Sequence, residues 1–214
     1  MKGKNLVLAY NEMFEPIGYV ERKTANRTGL WHGCVQVWLI SRRKNGSVIF
    51  QKRSSSKSVS PSFYDVSASG HIDEDNLPIE TAIRETKEEL GILVNENDLI
   101  YAGRRLDMFV KGNINSKIFA HVYFVINDTP LNEFKIDKHE LDGVLEIPVD
   151  RGLKLFSQGY EATINKVKLM KPNLGIQEVK LTHQMFIPRY DFYYLKVCLA
   201  ARQILNGEHS IVAI

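Results

Sequence analysis

Two cysteines, Cys34 and Cys198, are all that 214 residues contain. That is too few for a disulfide framework or a cysteine-ligated zinc site. Both stand in apolar runs, where a buried free thiol is the plain reading. No apolar run is long enough to span a bilayer, and no secretory pattern opens the chain, so a cytoplasmic protein is expected. Strong charge of either sign is missing as well. Lys and Arg number 28 against 25 Asp and Glu, a net of +3, too slight for a protein that grips a nucleic-acid polymer. Internal repeats, low-complexity tracts and a clear linker are absent. What remains, 44% hydrophobic and 25% charged, is the composition of a globular chain of one domain with some elaboration.

Most of that chain reads as strands. Residues 5–10 and 15–20 suggest a short pair joined by a turn, followed by the polar stretch Glu21–Thr28. Leu30–Ile40 is long, β-branched and aromatic, the pattern of a central strand. Asn45-Gly46 marks a hairpin turn into Ser47–Arg53, and a serine-rich basic loop covers 54–60. Further on, 99–110 and 117–126 should pair through Lys111-Gly112-Asn113; 128–139 is a loop, 140–148 a short strand and 150–158 a helix. Loose alternation over 162–182, broken at Pro172–Gly175, predicts an added hairpin. Residues 190–205 carry a helical apolar stripe stopped by Asn206-Gly207.

Chemistry concentrates between Gly70 and Ile92. Pro78 suits the first turn of a helix and Gly91 its C-terminal cap. On that helix Glu85, Glu88 and Glu89 fall at i, i+3 and i+4 and share one face, while Ile79, Ile83, Thr86 and Leu90 share a neighbouring face fit for burial. Three carboxylates on one face repel each other, and Arg84 neutralises only part of the cluster. Either the face is solvated, as charge runs usually are, or it holds a hard divalent cation, Mg²⁺ or Mn²⁺.

The segment resembles the Nudix box, G-x(5)-E-x(7)-R-E-U-x-E-E-x-G-U, with U a bulky apolar residue. Gly70, Arg84, Glu85, Glu88, Glu89, Gly91 and Ile92 fall in register; Asn76 replaces the first Glu and Thr86 an apolar position. Leu30-Trp31-His32, Gln51-Lys52-Arg53 with the basic loop to Pro61, and Ser69-Gly70-His71 further resemble the branch that holds isopentenyl-diphosphate isomerase and isomerase-like Nudix hydrolases. That likeness covers roughly residues 15–150. The isomerase's proton-transfer cysteine is Ser69 here, and the strand Lys117–Phe124 lacks its glutamate, so the isomerase reading loses both catalytic groups.

The resemblance implies an α/β (α+β) Nudix fold, a mixed sheet between helices, with core about 28–160 inside a single domain over 1–214. It implies an Mg²⁺-dependent (or Mn²⁺-dependent) pyrophosphohydrolase acting on a small nucleoside-diphosphate-X substrate; a non-cleaving ligand-binding regulator is the alternative. By resemblance Glu85, Glu88, Glu89 and the Ser69 carbonyl are the metal ligands, with Glu88 doubling as base and Arg84 orienting the carboxylates. Glu140, with Glu133 behind it, is the candidate base outside the box, and Arg53 and Lys57 are diphosphate contacts. His32 and His71 match two metal-holding histidines of the isomerase and are read as hydrogen-bonding or structural groups, with a second metal site the alternative, and His121 as a satisfied core or sheet-edge histidine. Phe63, Tyr64, Tyr101 and Phe109 are candidates to stack a base, though aromatics at strand ends are more often core. The C-terminal hairpin and helix are open to two uses, closing over substrate or forming a homodimer interface.

Overall fold

The computed structural model of the protein describes residues 6–73, 76–159, 161–189, 191–209 and 212–214. The N-terminal pair forms as expected from β1 (Leu6–Tyr10) and β2 (Pro16–Glu21); Asn5 lies outside the described residues. The polar stretch then coils into α1 (Arg22–Thr28), which the sequence pattern did not announce because it buries Ala25 alone. A helix with so narrow an apolar stripe leaves no periodic signal.

β3 (Trp31–Ser41) is the central strand. It pairs with β4 (Ser47–Arg53) only at Ile40–Val48 and Ser41–Ser47. Asn45 and Gly46 take positive φ, 68° and 92°, which suits the Asn-Gly signal. Below that turn the two strands part. The short β5 (Tyr64–Asp65) pairs with β4, and β6 (Ala68–His71) with β3. The box helix α2 (Pro78–Leu90) follows, capped by Gly91 at φ 68°.

β7 (Leu99–Lys111) and β8 (Ile114–Ile126) form the expected antiparallel arm. β8 also runs parallel to β3, Lys117–Ile126 against Trp31–Ile40. β9 (Leu141–Pro148) pairs with β4, and the hairpin β10 (Thr163–Lys171) and β11 (Gly175–Thr182) extends the sheet beyond it. α3 (Val149–Ser157) and α4 (Tyr193–Leu205) complete the chain; Tyr190, where the stripe begins in sequence, lies outside the described residues.

Alternation along β3 builds two cores. Val35, Val37 and Leu39 pack with Ala82 and Leu90 of α2 on one face. Trp38 and Ile40 pack with Phe50, Phe124, Leu155, Tyr193 and Val197 on the other, under α3 and α4. The mixed sheet between helices is therefore as expected. α4 itself proves to be core: Trp38 Nε1 donates to Tyr193 Oη at 2.8 Å, and Cys198 is buried. Among the described residues no helix is long and apolar enough to cross a membrane.

Candidate functional site

The fork between β3 and β4 opens a cleft of about 500 Å³, a size suited to a small molecule. β3 lends it Cys34 and Gln36, β4 lends Arg53, β5 lends Asp65, and β6 lends Ser69, Gly70 and His71. α2 closes one side. It lies so near β6 that a Cβ on Gly70 would stand 2.0 Å from Glu85 Oε1, so any side chain there would have to push the Glu85 carboxylate aside.

The three box carboxylates meet different surroundings. Glu89 is buried, and its Oε2 accepts from the Ser69 backbone N–H at 3.0 Å. Burial, with Glu85 beside it, pushes its carboxyl well above the usual range. Glu85 has a side chain 15% exposed and lies 2.9 Å from Arg84 Nη2. Burial raises its carboxyl to about 7, with Arg84 opposing the rise and Glu88 and Asp73 adding to it. Glu88 is the outlier, with a side chain 57% exposed and an Oε2 that takes the Arg84 Nη1 at 2.8 Å. Arg84 is thus ion-paired with Glu85, Glu88 and Asp73. Among the described residues no three acid, histidine or cysteine side chains form a ready metal cage; Glu88 is turned to Arg84 instead.

The two departures from the box have local consequences. Thr86 is fully buried and its hydroxyl donates to Ala82 O at 2.7 Å, which satisfies the polar atom inside the helix. Asn76 is exposed ahead of the helix. The α2 start is tied instead by Glu80, whose carboxylate accepts the Leu77 N–H at 2.9 Å.

Opposite α2 the structure joins two expected residues to each other. Lys57 Nζ is ion-paired with Glu140, and both line the cleft. Arg53 also lines it, with its guanidinium donating to Val59 O and Ser60 O at 3.0 and 3.2 Å. Glu133 sits exposed on the turn Leu131–Glu133, off the cleft wall.

His32 and His71 stack at 5.2 Å, and His32 Nδ1 bonds Leu30 O. Burial and the nearby Arg22 hold both imidazoles below their ordinary value. His121 sits on β8 beside Tyr101. Of the candidate stacking aromatics, Phe109 reaches the cleft. Tyr64 is core, packed on Phe186, and Tyr101 packs on Tyr123.

Sequence reasoning missed the far wall. Arg189 donates to both oxygens of Asp65 at 3.0 and 3.1 Å and is ion-paired with Asp107. Arg105 lies 3.1 Å from Asp107 and donates to Asp191. Burial pushes Asp65 up, but Arg189 outweighs it and leaves the carboxyl below its usual value. These residues come from β5, β7 and the segment before α4, and no local spacing links them; the sole signal was unexplained charge beside apolar runs.

The NUDIX domain family model matches residues 32–164, the span that builds the fork, α2 and β7 to β9. A Nudix hydrolase of Clostridium acetobutylicum is 34% identical over 142 residues, 66% of this chain and 68% of that one. A Nudix hydrolase of Rhodococcus erythropolis is 39% identical over 88 residues, 41% of this chain and 46% of that one. Among solved structures, a NUDIX hydrolase from Alicyclobacillus acidocaldarius shares the fold with TM-score 0.56 at 15% identity, covering 85% of this chain and 96% of that one. A Deinococcus radiodurans protein does so with TM-score 0.50 at 23% identity, covering 69% and 86%. The box register, the fork geometry and these matches agree, and the chain belongs to the NUDIX domain family.

Proposed function

We propose that this Nudix hydrolase cleaves the diphosphate linkage of a small nucleoside-diphosphate-X compound with Mg²⁺ or Mn²⁺ as cofactor, acting as a single domain over residues 1–214. The observation that carries the reading is the buried pair Glu85 and Glu89, set against Gly70 and the Ser69 backbone at the cleft wall.

The donor set fits a hard divalent cation. Two carboxylates shielded from water, both raised in pKa, are unfavourable as bare anions and favourable as oxygen ligands. Glu85, Glu89, the Ser69 carbonyl and, after release from Arg84, Glu88 would hold it. When bound, such an ion polarises phosphorus and lowers the pKa of water. The remaining work falls to side chains. Arg53 and Lys57 offset phosphate charge from the wall facing α2. Glu140, held by Lys57, accepts the proton of the attacking water, with Glu88 the other carboxylate placed for that role. Arg84 keeps Glu85 and Glu88 oriented.

The test is release of phosphate and nucleotide from a panel of diphosphates, with and without Mg²⁺ or Mn²⁺, beside a Glu89→Gln variant. Metal-dependent cleavage that the variant loses is the expected result. Absence of cleavage together with metal-dependent binding in calorimetry would overturn it in favour of a ligand-binding regulator.

A further inference from the structure

The cleft has a second end that the diphosphate chemistry does not use. Gln36 stands on β3 directly across from Ser69 of β6, so its side chain starts one strand spacing from the carboxylate site. Gln36 is 4% exposed and lines the cleft. Its Nε2 donates to Asp107 Oδ2 at 3.4 Å. A carboxylate only accepts, so the amide nitrogen must face Asp107, and that fixes which way the amide points. Among the described residues Gln36 Oε1 is then a buried acceptor with no hydrogen-bond partner.

An acceptor left so is costly, about 1–3 kcal/mol, unless something donates to it. The neighbouring charges decide what. Arg105 and Arg189 both engage Asp107, and Arg189 also engages Asp65. Arg105 also engages Asp191, which lies 3.8 Å from Lys196, so three cations offset three carboxylates and leave this end of the cleft neutral. A second phosphate would find both guanidiniums already ion-paired with carboxylates, with one N–H group of each, Arg105 Nη1 and Arg189 Nε, left without a hydrogen-bond partner among the described residues. Phe109 and Ile187 supply apolar surface beside the polar pair.

We propose that this end of the cleft binds a neutral, hydrogen-bond-donating group of the substrate, a hydroxyl or an amine, whose donor is read by Gln36 Oε1. Arg105 and Arg189 act as positioning residues that hold Asp107, and through it the Gln36 amide. The proposal rests on the diphosphate reading for the placement of the phosphates, and it narrows that reading to a class of attached group.

The experiment compares four probes that share a terminal diphosphate: ADP, 2′,3′-dideoxy-ADP, purine riboside diphosphate lacking the exocyclic amine, and hexyl diphosphate with no donor. Their dissociation constants are measured by calorimetry in Ca²⁺, a hard oxygen-liganded cation used in place of the Mg²⁺ proposed to support cleavage, on the wild type and on Gln36→Met. ADP is expected to bind the wild type about 10- to 100-fold tighter than hexyl diphosphate, the scale of one buried hydrogen bond made or unmade. Loss of that margin on the dideoxy compound assigns the read donor to the sugar; loss on purine riboside diphosphate assigns it to the base. In Gln36→Met the margin between ADP and the deficient analogue should fall to within about threefold. Equal binding of all four probes by the wild type overturns the proposal with no variant needed, and so does a margin that Gln36→Met retains. Because binding is read without turnover, a failed hydrolase assay would remove the activity assignment and leave this comparison intact.

Discussion

Replacing Gly70 with alanine places a methyl where Glu85 now stands. The new Cβ would lie 2.0 Å from Oε1, 2.1 Å from Cδ and 2.5 Å from Cγ. Backbone at Gly70 is fixed by its ladder with Val35, so the Glu85 side chain, which has rotatable bonds, is the part that moves. Two energies then oppose each other. Forcing a packed side chain aside costs about 1–3 kcal/mol. Against that, burial holds the Glu85 carboxyl at about 7 instead of 4.5, a shift worth ~3 kcal/mol against the charged form. The folded wild type binds this proton more tightly than the unfolded chain does. Its penalty is therefore absent below about pH 4.5, grows between 4.5 and 7, and is complete above 7. Swung into water, Glu85 escapes the penalty. Urea unfolding in chelator should find Gly70→Ala less stable than wild type by up to about 2 kcal/mol at pH 5, and equal to it or up to about 2 kcal/mol more stable at pH 8. Hydrolysis should fall about 100-fold or more, since a ligand displaced by an ångström or more no longer serves. A stability difference that is the same at both pH values would refute the reasoning, as would wild-type turnover.

Other perturbations separate the remaining groups. Saturating Mg²⁺ should raise the thermal midpoint more at pH 8 than at pH 5, because the ligands must lose their protons first; an equal rise at both would count against Glu85 and Glu89. Glu140→Gln should lower kcat by about 10²- to 10⁴-fold with little change in KM, and a wild-type kcat would return the base assignment to Glu88. Arg189→Met leaves Asp65 buried without its ion-pair partner, while Asp107 keeps Arg105, and should cost about 3–5 kcal/mol in urea unfolding; a loss under 1 kcal/mol would mean that water replaces the guanidinium. Tyr193→Phe removes the acceptor of the Trp38 indole N–H in a fully buried pair and should cost about 1–3 kcal/mol. An unchanged urea midpoint there would mean that the indole finds another partner.

The parts legible in sequence were those written in short-range pattern. Helix α2 declared itself through Pro78, Gly91 and the spacing of its acids; the strands declared themselves through alternation, and the hairpin turns through Asn45-Gly46 and Pro172–Gly175. α1 did not, because one buried alanine makes no stripe. The solvated-face reading of the box acids was half right: Glu88 is in water, while Glu85 and Glu89 are not. Periodicity gives the direction of a side chain from its helix, not the depth at which the helix sits. That depth is set by the packing of Ala82 and Leu90 against β3, and Gly70, on another element, leaves the room that the Glu85 carboxylate fills.

Partner choice between strands is the larger gap, and the site depends on it. The hairpin signal at Asn45-Gly46 was sound, yet β3 and β4 keep only two pairs before parting. Nothing local forces the split. It follows from better partners elsewhere: β8 covers β3 along Trp31–Ile40, β9 covers β4 along Ser47–Arg53, and β5 and β6 occupy the space between. Each ladder satisfies backbone groups that the hairpin alone would leave open. The price is a fork in which Gln36, Asp65 and Asp107 are buried without a full hydrophobic surround, and Arg189, from 82 and 124 residues away in sequence, is drawn in to neutralise the two carboxylates. A cleft of this kind is a property of the sheet's topology. Its chemistry was visible in the sequence only where one helix happened to carry the ligands together.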